Sequence, residues 1–350
     1  MPRGKGFGLR NIESINDKKS YNTAVRSARK AVLIILLVSF VIFASIAVIA
    51  VSKEGFGNFV STFESINLGY YLLALLIIFG SYTMRYPKWS MYLRRLGVRI
   101  PARKNYVIYM SMYSMDMTPG RWGRAIVSYT INQLSGVRFA VTFPAVVADI
   151  FTDFLGFAVI TDAMALVVNR FVFVSFFLTF LLMVPFFFVY IQRPFNYVRR
   201  WFWKFRKKFN VLRRLDIIFY TATLYFRHNR RLGGGVFAYS MMLTIPSMFL
   251  NGMALYVTML AFGVPVNFSY IPTVIFIFSS SLVLGMITGI PGTLGVTDAA
   301  LISQLQYFYP STISFGLAAA ITIFFRVASV WFVQGFGFVA FLYTLKYWKD

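Results

Sequence analysis

From residue 31 to residue 345 the chain is a succession of apolar runs, several of which approach or exceed about 18 residues, enough to cross a bilayer as helix. In hydrocarbon a backbone must satisfy its own amides and carbonyls, so runs of this length have few alternatives to the helix. The bulk composition agrees: 58% of residues are hydrophobic, 19% aromatic and only 13% charged, at a mean hydropathy of +0.67. A soluble domain carries about 25% charge. The sequence therefore reads as an all-α, polytopic transmembrane bundle.

The net charge of +24 and a pI of 10.3 raise the alternative of a nucleic-acid binder. The basic residues, however, fall in alternate gaps between apolar runs: eight Lys/Arg in residues 1–30, seven in 85–104 and twelve in 193–231. That is the positive-inside pattern, so nucleic acid is not expected as a partner, and a basic cytoplasmic face facing anionic lipid is. Both termini are expected in the cytoplasm of a multi-pass cell-membrane protein. Cysteine is absent, which excludes disulfides and thiolate metal sites. The single histidine, His228, lies in the charged stretch Phe226–Arg231. Neither a metal site nor a histidine-based triad has material to form, and no cofactor or catalytic residue is expected.

In order, residues 1–30 read as a basic tail, 31–162 as a first membrane repeat and 163–350 as a second, with a basic amphipathic loop at 193–235. Expected spans are 31–51, 67–84, 139–160, 171–191, 236–262 and a long, kinked or tilted 311–345. Arg85–Lys104 is expected as an inner loop with Trp89 at the interface, and Thr161–Arg170 as a short outer loop.

Two interruptions share one pattern. Thr118-Pro119-Gly120-Arg121-Trp122-Gly123-Arg124 and Ile290-Pro291-Gly292-Thr293-Leu294-Gly295-Val296-Thr297-Asp298 both contain Pro-Gly-x-x-Gly inside apolar sequence. Chance predicts roughly 0.06 such patterns at this composition, so the pair is treated as a repeat. Proline removes an amide donor and glycine frees the backbone, so helix should break at each. Broken backbone at membrane depth needs burial in protein or a wet cavity. The 14 residues Asn105–Thr118 would rise only about 21 Å as helix, short of the ~30 Å core, which favours a re-entrant hairpin. Ile271–Gly289 is just long enough to span, and a second hairpin over 271–308 follows by analogy with the first. Three spans and one hairpin per half, in opposite orientations, make an inverted repeat of the kind transporters use.

Six charges stand in or beside these apolar runs: Arg121, Arg124, Asp149, Asp153, Asp298 and Arg326. Intramembrane charges cost at least ~2.5 kcal/mol each on insertion scales and are therefore usually paired or functional. Asp149 and Asp153, spaced i and i+4, share one helix face, and Arg326 invites an ion pair with them across the repeats. With the motif residues Pro119, Gly120, Gly123, Pro291, Gly292 and Gly295, these six form the candidate substrate-binding set. Helix N-termini after each break and the arginine forks suit a phosphate-bearing ligand. No role is expected for Asp116, Asp162 or Asp216.

On Arg85–Trp89, Thr118–Gly123, the acidic stretch Val146–Asp153 and Gly289–Asp298, the chain resembles the lysylphosphatidylglycerol synthase transmembrane-region family over residues 30–345. The resemblance implies a flippase-like membrane domain acting on lipids or lipid-linked headgroups. Where that family usually carries Glu after the first motif, this chain has Arg124; Asp298 keeps the acidic charge that ends the second. Aminoacyl transfer in the synthases belongs to a separate soluble domain, and none is expected in these residues. The favoured expectation is translocation of an anionic phospholipid or polyprenyl-phosphate-linked lipid, its headgroup held against Arg121, Arg124 and Arg326. Alternatives are a membrane glycosyl- or phosphotransferase using Glu54 and Glu64, or a non-transporting partner of a lipid-modifying enzyme. The partners expected are membrane lipids, with a lipid-modifying enzyme or a homo-oligomer as the protein partner.

Overall fold

The computed structural model describes residues 41–190 and 234–347, and every described element is helical. The expectations for the tail 1–30, for the loop at 193–235 up to residue 233 and for His228 and Lys349 lie outside the described residues. Among the described residues, five helical stretches are long and apolar enough to cross a membrane: Leu68–Arg95, Val141–Val168, Gly234–Ala261, Phe268–Ile287 and Phe315–Thr344. This is a membrane protein of the all-α class.

The chain enters as a helix over 41–54 (α1), followed by Phe56–Glu64 (α2). Asn67 caps the next helix, Leu68–Met84 (α3), its side chain accepting from the amides of Gly69 and Tyr70. A single turn at Arg85 leads into Tyr86–Arg95 (α4), with Pro87 in its first turn, where a missing amide costs nothing. Lys88, Trp89, Tyr92 and Leu93 form one buried face of α4, at helical spacing. The inner loop expected here is thus a packed helix. Trp89 is fully buried, its indole donating to Asn105 at 3.0 Å, and is no interfacial anchor.

Ala102–Ser111 (α5) tightens into a 3-10 turn at Met112–Met115, breaks at Pro119–Ala125 and resumes as Ile126–Ser135 (α6). Phe139–Val168 (α7) runs eight residues past the expected end of its span, through Ala163, Ala165 and Leu166, good helix formers. Asp162 within this extension accepts from Thr179 of Val172–Tyr190 (α8), which ties the two helices together. Gly234–Ala261 (α9), which begins inside the glycine triplet, packs along α3 and meets α7 and Ile271–Ile287 (α10). Glycine permits the closest approaches: a Cβ at Gly252 would come within 3.1 Å of the Ile275 backbone, and at Gly156 within 2.6 Å of Thr244.

A second break at Pro291–Thr293 separates α10 from Val296–Phe308 (α11). The hairpin expected over 271–308 is therefore one span-length helix and one 13-residue helix joined by a turn. The last stretch is Phe315–Arg326 (α12), a π-helical segment Val327–Phe332, and Val333–Tyr347 (α13). The π segment, starting directly after Arg326, is the physical source of the irregularity expected in the long final helix. Beyond it α13 lies on α5 and the 3-10 turn, where a Cβ on Gly337 would come within 2.5 Å of the Ser114 amide nitrogen.

Candidate functional site

The two Pro-Gly elbows have the same backbone. Thr118 accepts a hydrogen bond from the Arg121 amide at 2.8 Å, and Ile290 accepts one from Thr293 at 2.9 Å. In each turn Pro and Gly hold the two central positions, the pairing that type II turns select because the second needs positive φ. Gly120 and Gly292 have φ of 59° and 64°, and the next residues, Arg121 and Thr293, are left-handed too, at 59° and 57°. Positive φ is uncommon for arginine and an outlier for a β-branched threonine. Both elbows therefore hold strained backbone at the same motif position. Gly123 packs onto Thr118, whose hydroxyl accepts from the Gly123 amide at 2.6 Å. Gly295 caps α11 and donates its amide to Asp298 at 2.8 Å. The elbows touch each other: a Cβ on Gly292 would sit 3.0 Å from Met117 Cγ.

Beside the first elbow lies a buried ion network. Asp149 and Asp153 point from one face of α7, as their spacing requires, and two cations each bridge the pair. Lys88 Nζ lies 3.1 Å from Asp149 and 2.6 Å from Asp153; Arg124 Nη1 lies 2.7 Å and 2.9 Å from them. Arg85 adds a contact to Asp153 at 3.0 Å and Arg121 another at 3.3 Å. Lys88 is further satisfied by the hydroxyls of Thr152 and Thr244. Asp116 closes the network, bonded to Arg124 and 3.7 Å from Arg121. The Arg85 guanidinium lies 4.3 Å from the Tyr82 ring centroid and that of Arg124 lies 4.9 Å from Tyr113's, so aromatic faces shield what the carboxylates do not.

Arg326 has a different partner from the one expected. It pairs with Asp298 at 2.8 Å and donates to the Gly292 carbonyl at 2.8 Å, clamping the second elbow; Asp149 and Asp153 are already occupied by the first. Arg85 and Lys88, expected in an inner loop, and Asp116, for which no role is expected, all belong to the network. The signal was present: Arg85, Lys88, Trp89 and Tyr92 recur at helical spacing, a buried face inside what charge counting marks as a loop. Arg124 is fully buried among three carboxylates, away from open space. Glu54, one of the two carboxylates on which a transferase reading leans, accepts from the Gly316 amide at 2.6 Å at the start of α12.

Between the elbows is a cavity with room for water-sized atoms in about 90 Å³. Thr118, Gly120 and Arg121 wall it from one elbow, and Ile290, Gly292 and Thr293 from the other. Arg85, Asp116 and Arg326 supply further charge, and Phe154, Phe157, Phe278, Leu282 and Phe325 an apolar lining. Of the candidate set, Gly120, Arg121, Gly292 and Arg326 reach the cavity wall. Pro119, Gly123, Pro291 and Gly295 shape the elbows, and Arg124, Asp149, Asp153 and Asp298 stand behind as counter-charges.

Comparison with known families gives one result. The model of the family described as "Lysylphosphatidylglycerol synthase TM region" matches residues 33–337, most of the chain, and the protein belongs to that family. No curated protein matches the sequence.

Proposed function

With membership of this family as the premise, we propose that the protein moves an anionic lipid, a phospholipid or a polyprenyl-phosphate-linked lipid, across the membrane. The headgroup passes through the cavity between the elbows while the acyl or prenyl chains stay in the bilayer. One observation carries this reading: three arginines, Arg85, Arg121 and Arg326, against the single carboxylate Asp116, converge on a small cavity. Arginine presents a fork matched to phosphate oxygens, and a cavity is where broken backbone is tolerated at membrane depth. The two elbows, reaching in from opposite leaflets as halves of an inverted repeat, would expose the site alternately to each side. The activity requires a bilayer, and the cell membrane is the compartment proposed for it.

Labelled lipids in proteoliposomes test the proposal. With an impermeant quencher outside, reconstituted protein should accelerate loss of the signal otherwise protected in the inner leaflet for at least one anionic lipid. Rates equal to those of protein-free vesicles across several headgroups would reject it.

A further inference from the structure

The charges around the cavity do not balance. Arg85, Lys88, Arg121, Arg124 and Arg326 contribute five positive charges. Asp116, Asp149, Asp153 and Asp298 contribute four negative ones, so among the described residues one positive charge is left over. The distribution gives that excess a direction. Three of the cations line the cavity with Asp116 alone, and the other three carboxylates sit behind the wall.

Arg121 holds the surplus most loosely. Its ion pairs are the longest in the network, 3.3 Å to Asp153 and 3.7 Å to Asp116, and its side chain is 16% exposed where Arg85, Lys88, Arg124 and Arg326 are at most 2% exposed. Across the cavity the Thr293 and Thr297 hydroxyls have no hydrogen-bond partner among the described residues, and Thr297 is almost completely buried. A buried hydroxyl without a partner is uncommon, because it forfeits its hydration for nothing.

We propose that the cavity is built for a phosphodiester headgroup bearing a single negative charge, with Arg121 as its direct partner and Thr293 and Thr297 as neutral donors. This rests on the reading that a lipid headgroup occupies the cavity, and it narrows the class. One negative charge brings the site to neutrality. A dianionic phosphomonoester overshoots, a zwitterion leaves the surplus in place, and a cationic aminoacylated headgroup such as that of lysylphosphatidylglycerol increases it. In a site of low dielectric each uncompensated charge is strongly disfavoured.

The test is competitive retention by the purified full chain, read by native mass spectrometry from equimolar lipid mixtures. One mixture, at mildly acidic pH, holds phosphatidylglycerol, phosphatidylcholine and lysylphosphatidylglycerol, and a second, at alkaline pH, holds phosphatidylglycerol and phosphatidate. Phosphatidylglycerol should be retained at least ~5-fold over each of the others, and Arg121→Gln should reduce that ratio below ~2-fold. Water-soluble glycerophosphoglycerol should displace the bound lipid more effectively than glycerophosphocholine, which places recognition in the headgroup. Equal retention of the zwitterionic or cationic lipid, or tighter retention of phosphatidate, overturns the charge rule. An Arg121→Gln protein that keeps the full preference overturns the role of Arg121.

Should Arg121→Gln fail to fold, Gln334→Glu carries the same test, since it adds a negative charge to the wall with Arg121 intact. It should abolish the preference, and an unchanged preference overturns the proposal. Selective retention without lipid movement in proteoliposomes would remove the transport reading and leave this one standing.

Discussion

Asp153 receives contacts from four cations, Arg85, Lys88, Arg121 and Arg124, inside a helix with no solvent to share the load. Removing one member of a buried ion pair costs about 3–5 kcal/mol, since the remaining charge loses its compensation. Asp153→Asn should therefore lower the melting temperature in detergent by far more than a surface Asp→Asn change. Adding Lys88→Met should recover part of the loss, because the double variant removes one charge of each sign. A double-mutant cycle showing no coupling between the two sites would contradict the network as described. Thr293 makes the opposite prediction. Its φ of 57° is costly for a β-branched residue, and asparagine adopts that region far more readily. Thr293→Asn should raise stability by up to ~1 kcal/mol in thermal unfolding while weakening lipid retention, a divergence expected where strain serves a site.

At the scale of elements, the important contact is between turns rather than helices. The chain contains no cysteine, so an introduced pair reports without background. A Cβ on Gly292 lies 3.0 Å from Met117 Cγ, near the separation a disulfide bridges. Met117→Cys with Gly292→Cys should crosslink under mild oxidation, and failure to do so would separate the elbows. The close approach of α13 at Gly337 makes a second demand. Any side chain there meets the Ser114 backbone, so Gly337→Leu should push the final helix off the Met112–Met115 turn and destabilise the fold. Backbone cannot rotate aside as a flexible side chain can, so overpacking here should cost at least the usual ~1–3 kcal/mol, measurable as a lower melting temperature.

For the whole molecule, the inverted design requires the two elbows to face opposite leaflets. Single cysteines at Trp122 and Thr293, probed with membrane-impermeant reagents in sealed vesicles of known orientation, should label from opposite sides. Labelling from one side only would remove the inverted repeat and the alternating access built on it. The lipid-facing perimeter is already visible in the exposed phenylalanines of α8, where Phe173 is 84% exposed and Phe180 69%. In water that surface would aggregate; in a bilayer it is ordinary.

The amino-acid sequence alone established the class and the breaks. Long apolar runs admit little but helix in hydrocarbon, and Pro-Gly at 119–120 and 291–292 must interrupt it, so both conclusions follow from local chemistry. The shared face of Asp149 and Asp153 was legible for the same reason: helical spacing is a property of the chain itself. Partner choice was not. Arg326 joins Asp298 instead of α7 because Arg85, Lys88, Arg121 and Arg124 are already there, and that crowding is decided by which helices pack together. Arg85 and Lys88 looked like loop cations because composition records sign and number, whereas burial depends on what covers them. The cavity, and the single positive charge left beside it, exist only once two distant turns are in contact.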